Sequence, residues 1–274
     1  STLMDWPVTP DYCRRLCSAL GVAYYESYRD GGFETELLKA EAQSRPIHFE
    51  TPDGWRSGGG TRSAISTRRK FPQKTANLSQ RWCSGQLKID VAALAIRNQP
   101  RFVGQKVLTV SGERAEESAA RAKYKGFEPD RTDLRSGRKP RLVDRWRPLI
   151  HTAEKEVWAG LEQYGIQPHP CYRIGFSRCS CQCCIFGNKD QWATLRYIDP
   201  DRFSRIASYE TEFGFTIDRV WNVHQMADQG AVYPAAIERP DLVRLALSEK
   251  YTADALTDSW QMPAGAFGHS EGPS

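Results

Sequence analysis

Five of the chain's eight cysteines crowd between Cys171 and Cys184, ending in the run 179-CSCQCC-184. Cys181 and Cys184 form a C-x-x-C pair, and Cys179 and Cys183 form a second, offset pair. Two thiolates at that spacing grip one metal centre, and soft sulfur ligands suit zinc or an iron–sulfur cluster. The same spacing serves dithiol redox chemistry, one thiolate attacking and the other resolving. The local run does not choose among these. Cys83, in 81-RWCSGQLKI-89, would ordinarily be a core residue, but Arg81 and Lys88 can lower its thiol pKa and make it a better ligand or nucleophile. Cys13 and Cys17, one helical turn apart, read as small core residues.

A second constellation is 111-SGERAEESAAR-121. Gly112 permits close backbone approach to a ligand, and a helix from about Ala115 to Tyr124 is expected to follow. That helix would put Glu117 one turn from Arg121, as the spacing also places Arg114 and Ser118. Arginine forks match phosphate or sulfate oxygens, so an anion site at the helix start is one reading. A surface Glu117–Arg121 ion pair is the other. The run 57-SGGGTRS-63 looks at first like a phosphate loop, but it follows no predicted strand and lacks the Walker lysine. It reads as a flexible loop.

The elements that must position these residues alternate. A helix is predicted after Thr9 as N-cap and Pro10, ending at Gly21, followed by a strand in 22-VAYYESY-28. Residues 41–80 read as one long basic loop or insertion. Leu87, Val91 and Leu94 space a helix, 106-KVLTVSG-112 reads as a buried strand, and 141-RLVDRW-146 as another. A helix opened by Thr152 closes before Gly165, the cysteine run lies in a loop, and the chain from Asp190 is mainly helical with starts at Asp199-Pro200 and Arg239-Pro240. The final dozen residues read as frayed. Alternating strands and helices predict an α/β fold with a Rossmann-like parallel sheet and helices on both faces, plus a mainly helical C-terminal part.

Composition narrows the class. With 274 residues, 40% hydrophobic and 26% charged, the chain can bury a core without disulfide staples. No apolar run approaches a membrane span and no signal peptide is evident at Ser1, so a cytoplasmic protein without membrane association is expected. The net charge of +5 is uneven: Arg56, Arg62, Arg68, Arg69, Lys70, Lys74 and Arg81 fall in one acid-free stretch, and a second basic stretch runs from Arg121 to Arg147. Such loops favour phosphate-rich partners, a nucleotide or a nucleic acid.

In order and spacing, 3-LMDWPVTPDYCRRLCSALGV-22, 81-RWCSGQLKI-89, 111-SGERAEESAAR-121 and the stretch from Trp146 to Cys184 resemble the phosphoadenosine phosphosulfate reductase family, within the PP-loop ATP pyrophosphatases. The resemblance spans roughly Leu3 to Gly187. It implies an adenine-nucleotide α-hydrolase-like domain over residues 1–187, followed by a helical region over 188–274. It also implies ATP or adenylyl sulfate as substrate, with Mg²⁺ as an optional companion, and adenylating, pyrophosphatase or sulfur-transfer chemistry. Gly112, Arg114, Glu117, Ser118 and Arg121 match the nucleotide- or sulfate-binding segment. Cys83, Cys181 and Cys184 match cysteines that hold a 4Fe-4S cluster in some branches, including relatives in DNA phosphorothioation. The fourth ligand would come from Cys179, Cys183 or Cys171, with Cys179 placed first, and zinc is the alternative metal. The family's S-G-G-x-D-S loop and first β-α unit are not found in this sequence, which is either a fragment or a natural variant, and it shows no Glu-Cys-Gly ending. The alternatives are therefore a non-catalytic nucleic-acid-binding subunit with structural zinc, or a sulfonucleotide reductase by another route. A homodimer or a multi-subunit system is the expected assembly.

Overall fold

The computed structural model describes residues 3–60, 63–137 and 140–268, so Arg62 of the first basic stretch lies outside the described residues. The chain divides into two compact units that interleave in sequence. Unit 1 comprises Ser1–Tyr24, Arg68–Lys74 and Glu154–Glu271; unit 2 comprises Tyr25–Thr67, Thr75–Ala153 and Gly272–Ser274. The expected boundary at Gly187 therefore falls inside unit 1.

Unit 2 is mixed α/β, and its strands correct the expected sheet. Strands β1 (Ser27–Arg29), β2 (Ile47–Thr51) and β3 (Gly54–Gly58) form an antiparallel sheet in that order. Strands β4 (Lys106–Val110), β5 (Phe127–Pro129) and β6 (Leu142–Trp146) form a second sheet in the order β4-β6-β5, where only β4 and β6 run parallel. The Rossmann-like parallel sheet is thus reduced, among the described residues, to one parallel pair.

Several local expectations change for identifiable reasons. Of 22-VAYYESY-28 only the end is strand, because pairing with β2 begins at Ser27. The supposed loop 41–80 contains the β2–β3 hairpin. Ile47, Phe49 and Thr51 alternate inward, and the turn is closed by the Thr51 hydroxyl on Gly54 O at 2.8 Å. Gly54 takes φ +107°, open to glycine but strained for other residues. Strand β4 is an edge strand, not a buried one: Leu108 and Val110 stay exposed, and Val110, Trp146 and Phe127 stand in one exposed cross-strand row. The helix expected from Leu87 forms as a π-helical turn, Gly85–Ile89, running into Asp90–Asn98, which packs on β1 and β2.

Unit 1 is helical, as the sequence from Asp190 implies. Asn188 and Asn222 cap the helices Lys189–Ile198 and Val223–Asp228 through capping boxes, and Asp199 caps Pro200–Phe213 by accepting from Arg202 N. Arg239 makes no side-chain cap and pairs instead with Asp241. Buried Glu210 accepts from Ile217 N and Val223 N at 2.7 and 2.8 Å, fixing the connection between two helices. A core of Trp6, Val8, Tyr12, Cys171, Ile174, Phe176, Leu242 and Tyr251 joins the N-terminal segment to the C-terminal helices. In the expected frayed end, residues 263–268 are anchored by Gly265 N on Tyr172 O at 2.8 Å, and 269–274 lie outside the described residues.

Candidate metal centre

Among the described residues, His169, Cys171 and Cys179 bring one imidazole nitrogen and two sulfurs within 4.8 Å of one another. Local sequence explains the positions. Pro170 opens the short helix Pro170–Arg173, and His169 stands at its N-cap with extended backbone, its Nδ1 accepting from Cys171 N at 3.2 Å. A neutral imidazole that accepts at Nδ1 carries its proton on Nε2, which lies 3.1 Å from the Thr9 hydroxyl. Thr9 was expected as the N-cap of the first helix. Instead Val8 holds that position and Thr9 is the first helical residue, its hydroxyl turned to His169. The Tyr12 ring meets the imidazole edge-on at 5.1 Å, and the Tyr12 hydroxyl donates to Gln167 O at 2.6 Å. His169 is therefore gripped from both the N-terminal helix and its own.

The two thiols are electrostatically unlike. Burial pushes the Cys171 thiol well up, whereas a hydrogen bond from Cys171 holds Cys179 low against its own burial, with His169 acting in the same direction. The opposite directions make Cys179, the half-buried member, the more acidic of the two thiols. Two cysteines and an imidazole facing one another form a soft donor set for a single divalent ion such as zinc. Two sulfurs fall short of the four thiolates a 4Fe-4S cluster takes.

Of the predicted ligands Cys83, Cys181, Cys184 and Cys179, Cys179 alone falls in this set among the described residues. His169, whose H-x-C spacing to Cys171 was its visible signal, was not anticipated. Cys181 forms an isolated bridge to Asp5, and Cys184 O accepts from Gly187 N at 2.8 Å. Cys183 is buried against Leu3 O with its thiol pushed up by burial, so it is a poor thiolate. Cys83 lies in unit 2, at the helical turn Trp82–Ser84. All eight cysteines carry unbridged thiols.

In the segment 111–121, the expected helix is two 3₁₀ turns, Ala115–Glu117 and Arg121–Lys123. Ser118 interrupts it with fully extended backbone, and its hydroxyl accepts from Arg121 N at 3.2 Å. The Arg114–Ser118 stacking therefore does not form, while Glu117 and Arg121 do pair. Arg114 bonds Glu116 at 2.7 Å, and a Cβ placed on Gly112 would meet open space.

Residues 61–186 match the family model described as the phosphoadenosine phosphosulfate reductase domain. That segment, a little under half of the chain, is similar to the phosphoadenosine phosphosulfate reductase domain. The match encloses Cys83, the 112–121 segment and the His169–Cys171–Cys179 set. The chain is also 31% identical over 141 residues to an uncharacterized 37.8 kDa protein in the gpa 5′ region of Escherichia phage 186. That alignment covers 52% of this chain and 39% of the phage protein, so the chain spans about two-fifths of that relative's length. No solved structure matches. No helix among the described residues is long and apolar enough to cross a membrane.

Proposed function

We propose that the chain is the nucleotide-handling part of a phosphoadenosine phosphosulfate reductase-family enzyme. It acts on an adenine nucleotide or adenylyl sulfate and carries a metal ion on His169, Cys171 and Cys179. The observation that carries this reading is that one family match encloses both the 112–121 segment and the His-Cys-Cys set. Arg114 and Arg121 supply the charge for a phosphate or sulfate, exchanging their present partners Glu116 and Glu117 for the ligand's oxygens. A zinc ion here would supply a fixed, redox-silent tie. Three protein donors would leave the fourth position of a tetrahedral zinc to another ligand. A 4Fe-4S centre would draw instead on Cys181, Cys184 and Cys83. Eight unbridged thiols fit a reducing compartment, the cytoplasm.

Calorimetry with ATP and with adenylyl sulfate tests the nucleotide half. Arg114→Ala should weaken binding by about tenfold or more, as expected for a charge-assisted contact. Unchanged affinity would remove Arg114 from the site. Oligonucleotide binding that falls steeply with salt, without nucleotide binding, would favour a nucleic-acid-binding subunit with structural zinc.

A further inference from the structure

Unit 2 contains a cavity of about 650 Å³ lined by Arg29, Gly59, Gly60, Ser63, Asp90 and Arg97, among others. Its volume lies in the range of about 300–1,000 Å³ typical of small-molecule sites. At its wall is an unusual charge. Arg29 is 6% exposed, yet no carboxylate pairs with it among the described residues. Its Nε donates to Gln86 O at 3.1 Å and its Nη1 to Arg45 O at 2.6 Å. These use two of a guanidinium's five N–H donors. A buried cation without a counter-charge is costly unless something supplies one.

The facing loop needs its glycines for left-handed backbone and for close packing on Pro46. It leaves β3 directly, which corrects the reading of 57-SGGGTRS-63 as following no strand. Gly59 and Gly60 take φ +75° and +85°, and a Cβ on Gly60 would lie 2.9 Å from Pro46 N. The N–H groups of both glycines donate to no acceptor among the described residues. Ser63 staples the loop: its hydroxyl donates to Gly60 O at 3.2 Å and accepts from Ser44 N at 3.2 Å. Arg97 stands exposed at the end of the helix Asp90–Asn98 and adds a second cation. Asp90 also lines the cavity and offers a carboxylate that can accept from a hydroxyl.

We infer that this cavity binds the phosphate group of a small, hydroxyl-bearing phosphate ester, held by Arg29, Arg97 and the main-chain N–H groups of Gly59 and Gly60. Glycine-loop amides with an arginine fork form an anion cradle by general chemistry. The inference stands apart from the nucleotide reading, which rests on the 112–121 segment.

The test titrates inorganic phosphate, adenosine 5′-monophosphate, adenosine and a ten-nucleotide single strand into the whole chain by calorimetry. The wild type should bind phosphate and the monophosphate saturably and adenosine far more weakly. Arg97→Glu, on the exposed rim, and Arg29→Lys should each weaken phosphate binding by about tenfold or more. Circular dichroism should show Arg97→Glu folded. The proposal is overturned if the wild type binds neither phosphate compound, or if folded Arg97→Glu binds phosphate as tightly as wild type. It is equally overturned if only the single strand binds, or if Arg114→Ala abolishes monophosphate binding while both cavity variants retain it.

Discussion

At the scale of single residues, the chemistry turns on an asymmetric pair of thiols. Cys171 is sealed in the core, where burial raises its thiol, while half-buried Cys179 is held low by its hydrogen bond with Cys171 and by His169. A metal ion would displace the Cys171 proton and bind both sulfurs, since metal ligation requires thiolates. Bound zinc should then protect Cys179 from alkylation, and chelation should release it. Mass spectrometry after brief iodoacetamide treatment should show Cys179 labelled about an order of magnitude faster in chelated protein than in zinc-loaded protein. Equal labelling in both would mean that the ion does not use this sulfur.

At the scale of elements, unit 2 relies on charged bonds as much as on core. Burial alone would raise the Asp130 carboxyl, but two bonds from Thr132 and the Arg145 fork outweigh it and hold the group below its ordinary value. Glu113 is likewise held low by Arg147 and Ser111 despite its burial. A carboxylate whose folded pKa is depressed adds stability above its unfolded value, near 3.9 for Asp, and loses it as pH falls through the folded pKa. The urea midpoint should therefore drop between about pH 4 and pH 2. Asp130→Asn should flatten part of that drop and cost about 2–4 kcal/mol at pH 7, because it leaves Arg145 without its charge partner. A variant with the wild-type pH profile would assign the acid sensitivity elsewhere.

The same scale shows what could be read in advance. Helices marked by Asp199-Pro200 and by the apolar spacing after Thr152 were legible, the second starting at Glu154, because caps and periodicity are local signals. The β2–β3 hairpin was hidden because the basic, polar surroundings of 47-IHFET-51 masked a five-residue alternation. The helix after Arg114 failed at Ser118, whose hydroxyl satisfies the backbone locally in place of a helical bond. In the candidate site, Cys179 was legible from its neighbours, whereas His169 offered only its H-x-C spacing to Cys171. Its partners Thr9 and Cys179 are distant in sequence, and only folding brings them together.

At the scale of the molecule, unit 1 is assembled from both ends of the sequence: residues 3–24 pack with the helices beyond Glu154, and the His-Cys-Cys set lies in their shared core. A metal ion there would tie the N-terminal helix to the C-terminal half. The most direct test is metal analysis with a visible spectrum on anaerobically purified protein, for the wild type and Cys171→Ser. The account predicts about one zinc per chain with no visible colour, largely lost in the variant. Iron with acid-labile sulfide, or zinc retained equally by Cys171→Ser, would contradict it.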